Sequence, residues 1–224
     1  MVSSWGRFGL QEGMCILMEI MVNFHDYIIV TLILILGFVS YIFTLVSVSS
    51  LLDKYVVESH FLELIWTLLP MGALLFMAFP SLYLLYLTED SVSANTIVKV
   101  VGHQWYWEYQ YENSLLIKEF DSYISRSPDA SLRNLDVDNR LSLPLHLPSL
   151  LLVGSSDVLH SWTLPSLGVK VDAIPGRLNC LVLTPSQVGV VYGQCSELCG
   201  ANHSFIPIIM ERLYPADFVK FMAN

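Results

Sequence analysis

Two cysteines and two histidines are spaced in this sequence as ligands of a transition metal. Cys195, Cys199 and His203 follow one another at intervals of four residues, and His160 lies 35 residues before Cys195. Two thiolates and two imidazoles form a soft donor set, which suits copper or zinc and disfavours magnesium or calcium. The spacing therefore predicts a metal site. The cysteine cluster alone also allows a structural zinc or a simple disulfide.

Two long apolar segments precede these residues. Residues 27–52 and residues 64–88 carry no formal charge. Each segment is long enough to cross a bilayer as a helix. Only eleven residues, 53–63, separate them, so we expect an antiparallel hairpin with both outer ends on one side of the membrane. No cleaved signal or transit peptide is expected, because the first 24 residues hold a single basic residue, Arg7.

The texture of the chain changes after the second apolar segment. Short alternating segments bounded by prolines predict strands of an all-β Greek-key barrel or sandwich, followed by a short helix from Pro215. The predicted strands are residues 96–111, 115–120, 140–152, 169–173, 178–184, 188–195 and 204–212. The predicted domains are therefore an N-terminal segment (1–25), a transmembrane helical hairpin (26–88) and an extramembrane β-domain (89–224).

The predicted β-domain is acidic. Residues 89–224 hold 14 acidic and 9 basic residues, a net charge of −5. An acidic surface repels nucleic acid and attracts a basic partner, with an attraction that weakens as salt rises. The remaining cysteines, Cys15 and Cys180, have no partner at ligand spacing and are interpreted as small apolar side chains.

Several motifs in this order resemble subunit II of the cytochrome c oxidases, of the mitochondrial type. The resemblance covers nearly the whole chain from Phe24, and the motifs that carry it are the residues 24–26, 102–107, 120–123, 138–140, 157–162, 172–177 and 192–205. It implies a cupredoxin-like domain that faces the intermembrane space from the mitochondrial inner membrane. It also implies that the chain is the electron-uptake subunit of a proton-translocating oxidoreductase. The oxygen-reduction site of that enzyme would lie in another subunit.

The resemblance also implies a dinuclear copper centre, CuA. By motif position the copper ligands are His160, Cys195, Cys199, His203 and the backbone carbonyl of Glu197, and the Glu197 side chain helps to bind Mg²⁺ at the subunit I interface. The implied partners are cytochrome c, the haem-bearing subunit I, other oxidase subunits and membrane lipid. Electrons arriving from cytochrome c pass through this centre to haem in subunit I.

One ligand of the family pattern differs in this chain. The pattern places a methionine three residues after the second histidine, where this sequence has Ile206. Met210 lies on the same strand face but about 13 Å away at the rise of a β-strand. Two explanations remain open: a true loss of the ligand, or a codon that some mitochondrial genetic codes read as methionine.

Further roles are implied for residues outside the ligand set. Trp105 matches the tryptophan beside which the cytochrome c haem docks, and strict alternation along 101–111 places it on an apolar strand face unless the strand is interrupted. Asp157, Glu119, Asp121 and Tyr106 are candidates for the docking surface. Glu63, at the start of the second helix, matches a glutamate at the entrance of a proton pathway; the rival interpretation is a carboxylate that stabilises a helix N-terminus.

Other classes of protein share parts of this pattern. A membrane-tethered copper-delivery protein of the Sco type also uses two cysteines and a distant histidine, but it has one span and a thioredoxin-like αβ fold. A quinol oxidase subunit II lacks the copper ligands. A zinc-stapled assembly scaffold would hold zinc and show no visible absorption.

Overall fold

The structure, a computed structural model, describes residues 9–50, 53, 55, 57–89, 93–113, 116–125 and 132–223. Contacts divide the chain into two compact units. One unit combines Met1–Glu19 with Ser91–Asn224, and the other is Ile20–Asp90. The residues of the first nineteen that the structure describes therefore belong with the β-domain, and each unit is described by itself.

Two apolar helices form most of the smaller unit. Helix α1 is Ile16–Val48 and helix α2 is His60–Glu89. With 33 and 30 residues, they are about 50 and 45 Å long at the rise of an α-helix. Both are long and apolar enough to cross a membrane, and their most hydrophobic windows bury no residue within the chain. Apolar side chains face outwards along both helices, as expected for helices in lipid.

A proline in α2 determines a contact between the two helices. Pro80 has no backbone N–H, so the carbonyl of Phe76, one turn earlier, lacks its usual helical donor. The hydroxyl of Tyr27 in α1 donates a hydrogen bond to that carbonyl at 3.4 Å, and the two rings lie 5.4 Å apart. A buried carbonyl in lipid finds no water, and Tyr27 therefore satisfies a group that the proline exposes.

Among the described residues of the β-domain are ten strands, two short 3-10 helices and a closing helix. The strands are β1 Thr96–His103, β2 Tyr106–Asn113, β3 Leu116–Ser122, β4 Leu141–Pro144, β5 Ser149–Ser155, β6 His160–Leu164, β7 Val169–Ala173, β8 Asn179–Leu183, β9 Gly189–Gln194 and β10 Pro207–Leu213. The 3-10 helices are Pro165–Leu167 and His203–Phe205, and helix α3 is Pro215–Ala223. The predicted closing helix is therefore confirmed.

The described strands form three sheets. The orders are β3-β2-β1-β5-β8, β4-β10-β9 and β6-β7. Strand β1 pairs in parallel with β5, and β10 pairs in parallel with β4, while the other pairs are antiparallel. The sheets enclose a core of buried aromatic and branched side chains that includes Trp107, Tyr109, Trp162, Leu151 and Ile208.

The prediction of one strand over 96–111 is wrong. The chain turns at Gln104 and Trp105, and the two halves pair with each other as β1 and β2. The turn changes the phase of the alternation. Val100 is buried opposite Tyr109, and Gly102 is buried opposite Trp107. The predicted common face of residues 101–111 therefore does not exist, and Trp105 lies at a turn instead of within a strand.

Two further strand predictions need correction. The range 140–152 contains two strands, β4 and β5, because Pro144 and Pro148 interrupt the pairing. Strand β6 was not predicted, since His160–Leu164 is only five residues long and the polar–apolar alternation within it covers four residues. All but one of its five residues are buried, so that alternation does not separate an exposed face from a core face.

The N-terminal segment closes one side of the β-domain. The backbone N–H of Met14 donates to the carbonyl of Ser166 at 3.0 Å, and Ser186 donates from its hydroxyl to the carbonyl of Met14 at 2.9 Å. Cys15 is buried, and its thiol donates to the carbonyl of Leu167 at 3.3 Å. This segment and the β-domain therefore lie on the same side of any membrane that α1 and α2 cross, as the hairpin prediction requires.

Replacing Tyr27 with phenylalanine tests the contact at Pro80. We expect Tyr27→Phe to destabilise the helical hairpin by about 1 kcal/mol, because the Phe76 carbonyl loses its donor. The measurement is reversible unfolding of the full chain in detergent. In a Pro80→Ala background the residue at position 80 regains an N–H that can bond to the Phe76 carbonyl. Tyr27→Phe should then lower the free energy of unfolding by markedly less. Equal costs in the two backgrounds would contradict the assignment.

Candidate metal centre

The predicted metal ligands lie on two segments that the β-sheets bring together. His160 is the first residue of β6, and both cysteines lie in the connection between β9 and β10, residues 195–206, which we name the metal loop. The N–H of Cys195 donates to the carbonyl of Ile206 at 3.0 Å, which closes the loop at its base. The N–H of Ser196 donates to the carbonyl of Ser161 at 3.0 Å, which ties the loop to β6.

The approach of β9 to β6 requires a glycine. A Cβ on Gly193 would lie 1.8 Å from the backbone oxygen of Thr163, a distance that no side chain can occupy. The strand that leads into the metal loop therefore runs in direct backbone contact with the strand that begins at His160. This contact determines the distance between the two ligand-bearing segments.

The four predicted ligands converge. The sulfur of Cys195 lies 3.9 Å from Nδ1 of His160 and 4.0 Å from the sulfur of Cys199. The sulfur of Cys199 lies 3.5 Å from Nδ1 of His203. The ligand atoms of His160, Cys195 and Cys199 all lie within 4.8 Å of one another, a group that does not include His203.

The sulfur separation fits two thiolates that share a metal ion. Two sulfurs that are each about 2.3 Å from one ion at the tetrahedral angle lie about 3.8 Å apart. The observed 4.0 Å between Cys195 and Cys199 is close to that value. The carbonyl oxygen of Glu197 also faces the site, 3.4 Å from the Cys195 sulfur. The residues present therefore fit a metal bound through sulfur and imidazole, with a carbonyl oxygen beside it.

His160 is held in one orientation. Its ring is fully buried, and its Nε2 lies 2.9 Å from Oδ1 of Asp157, so Nδ1 is turned towards Cys195. The Trp107 ring packs edge-on against it, with ring centres 5.9 Å apart. A Cβ on Gly102 would lie 2.9 Å from the His160 ring, so only glycine leaves room for it.

The two thiols differ in acidity before a metal binds. Burial raises the pKa of Cys195, but hydrogen bonds from His160 and from the loop backbone outweigh burial and lower the pKa to about 6. Burial and the neighbouring Cys195 thiolate raise the pKa of Cys199 to about 12. Thiolates and neutral imidazoles are the ligand forms, so metal binding has to displace the Cys199 proton.

The carboxylate of Asp157 accepts several hydrogen bonds at this site. Besides His160, the N–H groups of Val158 and Gln104 donate to its carboxylate at 2.6 and 2.7 Å. Burial would raise the pKa of Asp157, but the bond from His160 and the two backbone bonds outweigh burial and lower it. The sequence suggested Asp157 as a docking residue. In the structure the carboxylate of Asp157 also orients His160, one of the predicted metal ligands.

The turn that carries Trp105 lies against the metal loop. A Cβ on Gly200 would lie 3.3 Å from the Trp105 ring and 3.2 Å from Nε2 of Gln104. Gly200 also has a φ of +124°, a conformation that side chains rarely adopt. Trp105 is half-buried, and its indole N–H has no acceptor among the described residues.

The other docking candidates form a surface beside this turn. Tyr106 is stacked between His103 and Tyr123, with ring centres 4.6 and 4.4 Å away. Desolvation and a hydrogen bond with Tyr123 raise the pKa of Tyr106 to about 12. Glu119 and Asp121 lie exposed on the neighbouring strand β3. We name Tyr106, Tyr123, Glu119 and Asp121 the aromatic–acidic surface.

Ile206 is built into the site through its backbone. It is 1 % exposed, and its carbonyl accepts the Cys195 N–H. Met210 is also buried but pairs with Val191 in the middle of β10. The strand register is regular from Pro207 onwards, so Met210 stays four residues further along the strand than Ile206. The register therefore supports the prediction that Met210 is a poor substitute ligand.

Three predicted residues lie outside the metal centre. Glu63 is half-exposed in the first turn of α2 and lies 3.7 Å from His60, in the other contact unit. Cys15 is buried as expected for a small apolar side chain, whereas Cys180 is exposed on β8, contrary to that interpretation. Neither cysteine belongs to the described metal-ligand group.

Sequence reasoning missed Gln104, Gly193 and the orienting role of Asp157. Gln104 and Asp157 lie within motifs of the resemblance, as does Gly102, but their contacts join segments more than 50 residues apart. The available signal was the position of Asp157 three residues before His160. Gly193 also lies within such a motif, but its role could not be predicted, because the close approach that requires it depends on the packing of β9 against β6.

These observations define a class of protein. The chain has two membrane-length helices and a β-domain with a buried thiolate–imidazole site at the end of its strands. Copper electron-transfer domains use such sites, and the softness of the donors together with their fixed orientation fits copper. The class is therefore a membrane-anchored β-domain with a site that fits copper.

Comparisons with known proteins identify the family. Residues 96–213 match the family described as cytochrome c oxidase subunit II, periplasmic domain, and residues 3–84 match cytochrome c oxidase subunit II, transmembrane domain. The chain belongs to the cytochrome c oxidase subunit II family. The family predicted from the sequence is confirmed, and so is the electron-uptake subunit; the comparisons do not support the Sco-type alternative.

Individual relatives agree with this assignment. Cytochrome c oxidase subunit 2 of Aedes aegypti is 45% identical over 226 residues, which cover 100% of this chain and 99% of the relative. The subunit of Drosophila ambigua is 43% identical, with 100% and 98% covered. The crystal structure of the periplasmic domain of subunit II (CoxB) of Bradyrhizobium japonicum matches with a TM-score of 0.57 and 39% identity, over 60% of this chain and 95% of that one.

The assignment determines the setting of the chain. It is a membrane protein and a subunit of a haem-copper oxidase complex, with other oxidase subunits as partners. The predicted cupredoxin-like fold is confirmed by the match to the bacterial domain. The cluster of His160, Cys195 and Cys199 fits a copper site.

Removing the carboxylate of Asp157 tests its role in orienting His160. We expect Asp157→Ala to weaken copper retention roughly 10- to 100-fold, because His160 loses the acceptor that fixes its ring. The measurement is competition for copper between the full-length protein and a chelator. Asp121→Ala removes an exposed carboxylate of the same domain and should retain copper normally. Equal retention in both variants would contradict the role of Asp157.

Proposed function

We propose that this chain accepts single electrons from reduced cytochrome c at a dinuclear copper centre and passes them to haem in subunit I. Its ligands would be His160, Cys195, Cys199, His203 and the carbonyl of Glu197. When bound, the copper pair supplies a one-electron redox couple. The protein contributes ligands whose positions are held by backbone bonds, so little has to rearrange when the charge changes.

The placement of His203 is the observation that favours two ions over one. A single tetrahedral ion needs all four donor atoms within about 4 Å of one another. His203 lies outside the group formed by His160, Cys195 and Cys199, yet its Nδ1 is 3.5 Å from the Cys199 sulfur. One imidazole beside each sulfur, and two sulfurs 4.0 Å apart, would hold a pair of ions.

Cytochrome c is the proposed electron donor because the turn at Trp105 and the aromatic–acidic surface lie side by side. The net charge of −5 over residues 89–224 attracts a basic protein, and the exposed Glu119 and Asp121 are available to it. Tyr106 and Tyr123 add stacked rings that can pack against a partner. We further propose that Trp105 marks the place where the electron is received.

Three additional assignments accompany this proposal. The side chain of Glu197, half-buried in the metal loop, would bind Mg²⁺ where the domain meets subunit I. Glu63 would lie at the entrance of a proton pathway, with Nδ1 of His60 3.7 Å from its carboxylate. The membrane would be the mitochondrial inner membrane, consistent with the insect relatives, with lipid around α1 and α2 and the β-domain in the intermembrane space.

Metal content and electron paramagnetic resonance test the dinuclear centre. We expect the full-length protein to bind two coppers and to show one unpaired electron shared by both nuclei. The full chain is the suitable material, because residues 14 and 15 pack against the β-domain. Cys199→Ser should abolish the shared-electron spectrum. A single localised copper, or zinc alone, would contradict the proposal, and mass spectrometry of the peptide containing residue 206 would show whether isoleucine is present.

The role of Trp105 is tested by substitution in the assembled oxidase. We expect Trp105→Ala to slow copper reduction by cytochrome c roughly tenfold or more, the loss typical of removing a central aromatic side chain from an interface. Copper content should remain unchanged. Tyr214→Ala removes an exposed aromatic side chain before α3 and should react at the normal rate. Normal kinetics in Trp105→Ala would reject the assignment.

A further inference from the structure

Gln104 connects the turn between β1 and β2 to both ligand-bearing segments. Its backbone N–H donates to Oδ2 of Asp157 at 2.7 Å. Its side-chain Nε2 donates to the carbonyl of Cys199 at 2.8 Å. Because the other oxygen of Asp157 lies against His160, one residue of the turn is linked to one ligand through a carboxylate and to another through its carbonyl.

The same turn covers the residue that follows Cys199. Nε2 of Gln104 and the ring of Trp105 both lie within 3.4 Å of the position that a Gly200 Cβ would occupy. The indole therefore packs directly on the metal loop. The two hydrogen bonds of Gln104 and the packing on Gly200 thus connect the turn to Asp157 and to the metal loop.

We infer that Gln104 is a positioning residue for electron uptake, because its two hydrogen bonds keep the Trp105 ring packed against the metal loop. The inference rests on the proposed function, since it takes Trp105 as the place where the electron is received. Gln104 acts through its neighbours: it contacts a carboxylate and a backbone carbonyl, both of which belong to residues at the copper site.

Glutamine has the chemistry that this position requires. The acceptor is a carbonyl, so the side chain must donate, which an ionised glutamate cannot do. Asparagine donates but is shorter by one methylene, about 1.5 Å of reach. Methionine fills a similar volume without a donor. The backbone bond to Asp157 does not depend on the side chain, so substitutions at position 104 isolate the bond to Cys199.

The test compares Gln104→Met and Gln104→Glu with the wild type in the assembled oxidase. The first readout is hydrogen–deuterium exchange in peptides covering residues 102–107 and 199–203. We expect exchange there to rise roughly fivefold, the effect of losing one hydrogen bond of ordinary strength from a local opening equilibrium. The second readout is the limiting rate of copper reduction at saturating cytochrome c, which we expect to fall with an unchanged KM for cytochrome c.

A matched control is available in the connection between β8 and β9. Gln187 is exposed there, in the same domain as Gln104. Gln187→Met should change neither the exchange of the two peptides nor the rate of copper reduction. Paramagnetic resonance of each variant should show the wild-type copper content, which separates positioning from loss of metal.

The outcomes separate this inference from the proposed function. Unchanged exchange in both Gln104 variants overturns the inference, and so does increased exchange with an unchanged limiting rate. A higher KM with a normal limiting rate also overturns it, because Gln104 would then be a docking residue. Failure of the proposed function appears elsewhere: the wild-type oxidase would lack the shared-electron spectrum, or Trp105→Ala would react normally.

Discussion

The carboxylate of Asp157 is the interaction on which the arrangement of the site depends. One oxygen lies against His160 and the other accepts from Gln104, so a single side chain fixes a metal ligand and the turn that carries Trp105. A further bond, from the N–H of Val158, fixes the carboxylate itself. Hydrogen bonds to a charged acceptor are stronger than those between neutral groups. The bonds to Asp157 therefore hold His160 and the turn at Gln104 at one defined distance. Its position three residues before His160 makes this geometry possible.

Direct backbone contact between β9 and β6 also holds this arrangement in place. Gly193 brings β9 against β6, and the bond from Ser196 to Ser161 continues that contact into the metal loop. The sulfur of Cys195 is buried beside the His160 ring as a result. The low pKa of Cys195 and the high pKa of Cys199 follow from the same proximity. The fold therefore brings the ligand atoms together, and the raised pKa of Cys199 keeps its thiol protonated until a metal displaces the proton.

The sequence predicted the parts of this molecule that depend on local pattern. Uncharged length indicated both helices, and spacing indicated the four ligands, because these signals need no knowledge of the packing. The turn at Gln104 was missed, since apolar and polar residues alternate across it without interruption. Strand β6 was missed because it is only five residues long. The roles of Gly102 and Gly193 depend on which strands approach each other, and one sequence contains no record of such distances.

The N-terminal segment has a consequence for the order in which the molecule is built. Met14 and Cys15 contact residues 166, 167 and 186, across sequence separations of 152 to 172 residues. Contacts of such long range form slowly, because a long loop must close before they contribute. Met14 is synthesised before both helices, and residues 166, 167 and 186 are synthesised after them. These contacts can therefore form only after both helices and most of the β-domain have been made, and they require an even number of membrane crossings between their partners.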